Sequence, residues 1–164
     1  MKAWILALGL LAGLPQAALA ASASDGVLGR FVGTWAVSGT TRGEPTATAA
    51  EVSARFGGAF VEMHVADPTG KNDYEARVFF GQAEDGAVVV HWLDATGGGT
   101  SRTLGAGRIV GDHVDMTFAY PQGEMRNRLD YDRAGDRWRM RIETGPKDKP
   151  SLFSDWVFVR QPAR

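Results

Sequence analysis

Apolar and polar residues alternate with a period of two along the last third of the chain, which is the pattern of β-strands with one buried face. In residues 137–144, for example, Trp138, Met140 and Ile142 alternate with arginines. Residues 113–120 and 124–132 show the same alternation. The inward set predicted for these three segments is Val114, Met116, Phe118, Tyr120, Met125, Asn127, Leu129, Tyr131, Trp138, Met140 and Ile142. Asn127 is the polar exception in this apolar interior.

Turn-forming residues divide the rest of the chain into short segments of the same kind. The predicted strands are 31–39, 46–56, 59–66, 74–82, 87–93, 101–110, 113–120, 124–132, 137–144 and 152–160. Gly57-Gly58, Asp85-Gly86 and Gly111-Asp112 predict tight hairpin turns between neighbouring strands. Segment 74–82 turns Tyr74 and Phe80 inward. Segments 59–66 and 87–93 leave the inward face open, so that either His91 or Trp92 can point into the core.

Short strands joined mainly by tight turns predict an all-β fold, a single antiparallel up-and-down β-barrel of about ten strands. A two-sheet sandwich has similar strand spacing but needs longer crossings between its sheets. Gly33 and Gly39 flank Trp35, so its ring can lie against neighbouring backbone. We also predict a short N-terminal helical turn across one end of the barrel, capped by Asp25, with a buried side made by Val27, Leu28 and Phe31.

The first 20 residues follow a different pattern. One lysine precedes an apolar run over residues 3–14, and Ala18-Leu19-Ala20 forms a small-residue cleavage pattern. The run is too short to span a bilayer. We therefore predict a signal peptide over residues 1–20, a barrel domain over residues 21–164, and a periplasmic or secreted protein without a membrane span. The chain has no cysteine, so the core alone must hold this domain together.

Charge and motif content argue against several classes of function. The formal net charge of −1 gives no strong electrostatic reason to bind nucleic acid. The three histidines are isolated in the sequence, and there is no G-x-S-x-G nucleophile motif, so we expect no metal site and no catalytic residues. Glu62 and His64 lie two apart on one strand and form a local acid and base pair. They support an alternative function as a small-molecule isomerase or hydrolase.

A barrel of about ten strands is wide enough to hold a ligand besides its own side chains, and methionines adapt to varied apolar shapes. The predicted lining is Tyr74, Phe80, Met116, Phe118, Met125, Asn127, Trp138 and Met140. We take Asn127 and Tyr74 as its polar anchors. This set predicts a non-enzymatic carrier or sensor of a small hydrophobic molecule, with the oligomeric state left open.

An outward arginine stripe over residues 126–141 gives a further alternative, an interaction module, although acidic neighbours favour pairing within the stripe.

Gly33-Thr34-Trp35 resembles the Gly-x-Trp motif on the first strand of calycin barrels, which include lipocalins and fatty-acid-binding proteins. In those families a basic residue of the last strand stacks over the tryptophan, which implies the same position for Arg160 here. The strand count and the Gly-x-Trp-x-x-x-Gly opening also resemble nitrobindin-like haem barrels and exported bacterial lipocalin-like domains. Nitrobindin-like proteins bind haem through a late histidine, but this chain has none after His113. Haem with His64 or His91 as its axial ligand is therefore an alternative, and no cofactor is the first expectation.

Overall fold

The computed structural model describes residues 22–70, 73–83 and 85–162, and it confirms the all-β barrel. Ten antiparallel strands follow one another around a single closed sheet, and the first strand pairs with the last. The strands are β1 (Gly33–Thr41), β2 (Glu44–Arg55), β3 (Phe60–Ala66), β4 (Glu75–Gln82), β5 (Ala87–Asp94), β6 (Gly105–Val110), β7 (His113–Tyr120), β8 (Gly123–Asp132), β9 (Arg137–Thr144) and β10 (Ser151–Arg160). The predicted signal peptide lies outside the described residues.

Two loops differ from the predicted hairpins and strands. The glycine-rich segment forms a short helix, α1 (Gly98–Ser101), in which the hydroxyls of Thr100 and Ser101 donate to the carbonyl of Gly97. This helix replaces the predicted start of the sixth strand, so β6 begins at Gly105 instead of residue 101. Between β2 and β3 a 3₁₀ turn (Phe56–Gly58) replaces the tight hairpin turn, with the backbone of Phe56 at φ 52°. No helix among the described residues is long and apolar enough to cross a membrane.

A 3₁₀ helix (Val27–Phe31) lies across one end of the barrel, and Val27, Leu28 and Phe31 are its buried residues, as predicted. The predicted cap is wrong. Gly26 holds the N-cap position in an extended conformation, and no side chain accepts a capping hydrogen bond there. The ring of Phe31 packs against four other aromatic rings, those of Trp35, Phe80, Trp138 and Phe158. We call this aromatic cluster with its helix the plug.

Trp35 and Arg160 join the first and last strands at the plug. The two residues are partners in the β1–β10 register, and the guanidinium carbon of Arg160 lies 4.1 Å from the centroid of the Trp35 ring. Arg160 also donates to the backbone carbonyls of Arg30 (2.8 Å) and Val32 (3.0 Å) and forms an ion pair with Asp136 (2.6 Å). The indole of Trp35 donates to the carbonyl of Phe31 at 2.8 Å. The stacked arrangement predicted for Arg160 is confirmed.

The outer wall of the later strands carries the predicted pairing of arginines with acids. The pairs are Arg128 with Asp130, Arg137 with Asp132, Arg139 with Asp155, and Arg141 with Glu143. The arginine side chains of these pairs are about half exposed, and an isolated ion pair at such a surface contributes at most about 1 kcal/mol. The stripe is therefore a self-neutralised surface.

Candidate functional site at the open mouth

The two ends of the barrel differ in how far their inward side chains are covered. The plug fills the end where β1 begins, and its aromatic rings are fully buried. At the opposite end, which we call the mouth, β5 and β7 finish and β4 and β8 begin. Here the inward side chains of Tyr74, Trp92, Tyr120 and Met125 are only partly buried and pack against the core cluster. The mouth is thus an end at which several inward-facing side chains meet solvent, although Ile109 and Tyr131 near the plug end are also only partly buried.

Phe118 is the centre of the aromatic contacts at the mouth. The ring of Trp92 meets it edge to face at a centroid distance of 6.4 Å, and the ring of Tyr120 lies parallel to it at 6.0 Å. Gly105 faces Phe118 across the β6–β7 ladder, and a Cβ atom at this glycine would lie 2.7 Å from the ring. Because Gly105 has no side chain, the Phe118 ring can lie flat against the wall.

A carboxylate and two phenols form the polar part of the mouth. The hydroxyl of Tyr74 donates to Asp94 over a long 3.4 Å, and it also has a hydrogen bond with the side chain of Trp92. Burial raises the pKa of Tyr74, and the neighbouring charge of Asp94 raises it further. The pKa of Tyr120 is raised by the same two causes. Both phenols are therefore neutral near physiological pH.

Asn127 lies one layer below the mouth, opposite Met116 on β7 and Ile142 on β9. Its side chain is 3% exposed, and its Oδ1 atom has no hydrogen-bond partner among the described residues. A buried acceptor without a partner costs about 1–3 kcal/mol. Such an atom in a native interior calls for an explanation. A ligand or water that donates a hydrogen bond to it would remove the cost.

The structure separates the eight predicted lining residues into two groups. Tyr74, Met116, Phe118, Met125 and Asn127 belong to the half of the interior that lies under the mouth. The remaining three are fully buried elsewhere: Phe80 and Trp138 pack on Phe31 in the plug, and Met140 faces Leu129 and Trp156 along its neighbouring strands. A role for each of the eight in ligand binding stays a prediction.

Trp92, Asp94 and Tyr120 are mouth residues that sequence reasoning did not select. Residues 88–90 are all valine, so the apolar pattern of β5 does not say whether Trp92 points inward, and Asp94 shares the face of Trp92. Tyr120 is on the predicted inward face of β7. Its position two residues beyond Phe118 was the available signal.

The proposed catalytic pair is wrong, because Glu62 and His64 both lie on the outer wall. Strand β3 turns the fully buried Val61, Met63 and Val65 toward the core, and a period of two places the residues between them outside. Glu62 is buried there beneath Arg77, which donates to it at 2.7 Å, and beneath Arg55. Burial alone would raise the pKa of Glu62, but hydrogen bonds from the two arginines outweigh it and hold that pKa below its usual value. His64 contacts Glu75 at 2.7 Å.

The three histidines of the chain do not fit interior haem. His91 faces outward between Val90 and Trp92, and its Nε2 atom lies 2.9 Å from the carbonyl oxygen of Ser101. His113 pairs with Asp115 on the outer face of β7, and His64 is on the outer wall of β3. The alternative with His64 or His91 as an axial ligand in the interior is therefore wrong. Within residues 22–70, 73–83 and 85–162, no cluster of three or more acidic or histidine side chains could hold a metal ion.

Two clefts lie on the wall formed by the later strands. One, of about 720 Å³, is bordered by charged residues of β8, β9 and β10, including Asp130, Arg139 and Asp155. The other, of about 340 Å³, lies across β7, β8 and β9, and its lining includes Met116 and Asn127 as well as Arg126 and Arg141. Both clefts are lined in part by arginines and acids of the stripe. No protein-family model matches this chain, and comparison with curated proteins finds no significant match.

Proposed function

We propose that this protein is an exported, calycin-like barrel that carries or senses a small, mainly apolar molecule, which enters at the mouth. The observation that carries this proposal is Asn127, whose buried Oδ1 atom has no hydrogen-bond partner among the described residues. A filled structural core would favour an apolar residue at this position, because an apolar side chain incurs no desolvation cost. A ligand with a hydroxyl, amide or amine group would complete the site.

The partly buried side chains above Asn127 supply the apolar part of the site. Trp92, Tyr120 and Met125 are the inward residues that a ligand would cover. Burial of apolar surface contributes about 25 cal/mol per Å², so covering about 200 Å² in total yields about 5 kcal/mol before the costs of association. Even without those costs, 5 kcal/mol corresponds to a dissociation constant of about 0.2 mM, so these apolar contacts alone support only weak binding.

The competing functions have less support from the side chains. An enzyme that uses Glu62 and His64 would need both side chains to point into the interior, but both lie on the outer wall. An interaction module that uses the arginine stripe would have to break ion pairs such as Arg139 with Asp155. Export is supported by the predicted signal peptide, and a mature N-terminus that still begins at Met1 in the native host would contradict it.

The binding test uses protein purified from its own host under gentle conditions. Native mass spectrometry should detect a bound small molecule, and a neutral apolar dye should bind and be displaced by a long-chain alcohol. Asn127→Leu should lower the affinity for the alcohol by about tenfold, which is the equivalent of one hydrogen bond to the buried acceptor. The affinity for the matched methyl ether should not change. Met140→Leu, at an equally buried position, is the matched control and should preserve both. If neither assay finds binding to the wild-type protein, the proposal is wrong.

A further inference from the structure

We propose that the mouth selects ligands with a cationic ammonium head, which rests against the rings of Trp92 and Tyr120 beside the carboxylate of Asp94. This inference rests on the proposed function, because it names the class of ligand that enters at the same mouth. The ammonium head would lie at the rim. Its apolar chain would extend toward the layer of Met116 and Asn127.

Asp94 is a half-buried carboxylate without a cationic partner among the described residues. Its Oδ1 atom accepts from the backbone and the hydroxyl of Thr96, and its Oδ2 atom accepts from Tyr74. The acids of the outer wall are arranged differently, since Asp130, Asp132 and Asp155 each pair with an arginine. Asp94 therefore adds an uncompensated negative charge at the entrance to an apolar interior.

The aromatic residues beside Asp94 add a second attraction for cations. The face of an aromatic ring carries negative potential, and a cation within about 6 Å of the ring centroid is attracted to it, most strongly by tryptophan. Trp92 has a hydrogen bond with the Tyr74 hydroxyl that contacts Asp94. The charge of Asp94 also raises the pKa of Tyr120, so this ring lies within its electrostatic reach. Several ring systems and one carboxylate thus surround the same entrance.

The same arrangement disfavours anionic ligands. The carboxylate of a fatty acid held at the rim would meet the charge of Asp94, and like charges repel more strongly near a low-dielectric interior than in water. The phenols of Tyr74 and Tyr120 are neutral hydrogen-bond donors and do not compensate this repulsion. The expected order of affinity is therefore cation first, neutral analogue second and anion last.

The test compares three probes that share one soluble ether-containing alkyl chain and differ in the head group: trimethylammonium, the isosteric neutral tert-butyl group, and carboxylate. Dissociation constants are measured by calorimetry on the full mature protein. The trimethylammonium probe should bind about tenfold more tightly than the tert-butyl probe. Asp94→Asn should bring the ratio of trimethylammonium to tert-butyl affinity close to one; the ratio within the variant is compared, because the substitution also changes the hydrogen bond that Asp94 accepts from Tyr74. Asp25→Asn, an equal change of charge at an exposed acid near the plug, is the control and should keep the preference.

Each outcome bears on one of the two proposals. If all three probes bind equally, the proposed function stands and the inference about the cation is wrong. If no probe binds, the proposed function fails as well. A preference that survives in Asp94→Asn would overturn the role of Asp94. Should that variant fold poorly, the wild-type protein still decides: added salt must reduce the ratio of trimethylammonium to tert-butyl affinity, and a ratio independent of salt contradicts the inference.

Discussion

Replacing Arg160 by methionine tests whether the contacts between the first and last strands stabilise the closed barrel. Methionine keeps an unbranched, flexible stem and removes only the guanidinium group. The wild-type guanidinium stacks on Trp35, donates to the carbonyls of Arg30 and Val32, and pairs with Asp136. These four contacts connect β10 to β1, to the plug and to the β8–β9 turn.

The expected loss is about 3 kcal/mol of the free energy of unfolding. The stacking contact contributes about 1 kcal/mol, because the arginine side chain is 34% exposed and the interaction is only partly desolvated. Hydrogen bonds from a charged donor to the two carbonyls contribute about 1.5 kcal/mol or less each, since water can replace them at this surface. The ion pair with the half-exposed Asp136 adds less than about 1 kcal/mol. The sum is reduced because contacts made by one group are not additive.

Urea unfolding followed by far-ultraviolet circular dichroism measures this loss without relying on the fluorescence of Trp35. Arg141→Met is the matched control. Arg141 lies on the neighbouring strand, its side chain is 44% exposed, and its one ion pair among the described residues, with Glu143, is long at 3.5 Å. Its expected loss is within about 0.5 kcal/mol. If Arg160→Met costs no more than Arg141→Met, the contacts of Arg160 do not stabilise barrel closure and the reasoning fails.

Three further predictions follow from other parts of the structure. Glu62→Gln should lower the free energy of unfolding in urea by about 1 kcal/mol at neutral pH. The difference from wild type should shrink as pH falls through the lowered pKa of Glu62, because the wild-type carboxylate is then protonated as well. A difference that stays constant with pH would contradict this. Stability should fall as pH rises above about 10, where unfolded tyrosine ionises while the raised pKa of Tyr74 keeps its folded form protonated. Tyr74→Phe should flatten this alkaline fall, and an unchanged slope would refute the assignment. Gly105→Ala should lower the free energy of unfolding by about 2 kcal/mol, because the added methyl group overlaps the Phe118 ring. Adding Phe118→Leu should restore part of this loss in the double variant. Additive losses would show that the two sites are independent.

Sequence alternation predicted the inward and outward faces of β7, β8 and β9, where charged residues occupied one side, but it left β3 open although Glu62 and His64 share one of its faces. Strand β9 is the clearest case, because its arginines cannot share the interior with Trp138 and Met140. In β5 the same reasoning gave no answer, since Val88, Val89 and Val90 are apolar on both faces. In the structure Val89 is an exposed outward residue, and only the pairing with β4 and β6 shows this.

The alternation of apolar and polar residues also does not predict how far along the barrel axis an inward residue lies. Phe80 and Phe118 are both inward aromatic residues, yet one lies in the plug and the other under the mouth. The difference arises from the direction of each strand and from its register with its neighbours. Strand order and hairpin turns imply the direction, but the position of the N-terminal helix decides which end is filled. Phe80 and Trp138 could therefore not be separated from the mouth residues in advance.

The contacts that stabilise barrel closure lie at the plug, whereas the proposed ligand site lies at the mouth. At the plug, Phe31 and its ring neighbours are fully buried, and Arg160 adds polar contacts across the strand junction. Polar groups that lack partners are costly in a small domain, whose net stability is only about 5–15 kcal/mol. Among the described residues, Trp138 Nε1 in the plug also lacks a hydrogen-bond partner, whereas Asn127 Oδ1 is an unpaired buried acceptor that lies beneath the partly buried rings of the mouth. Departures from polar satisfaction of this kind are expected at functional sites, and so the mouth is where a ligand should be sought.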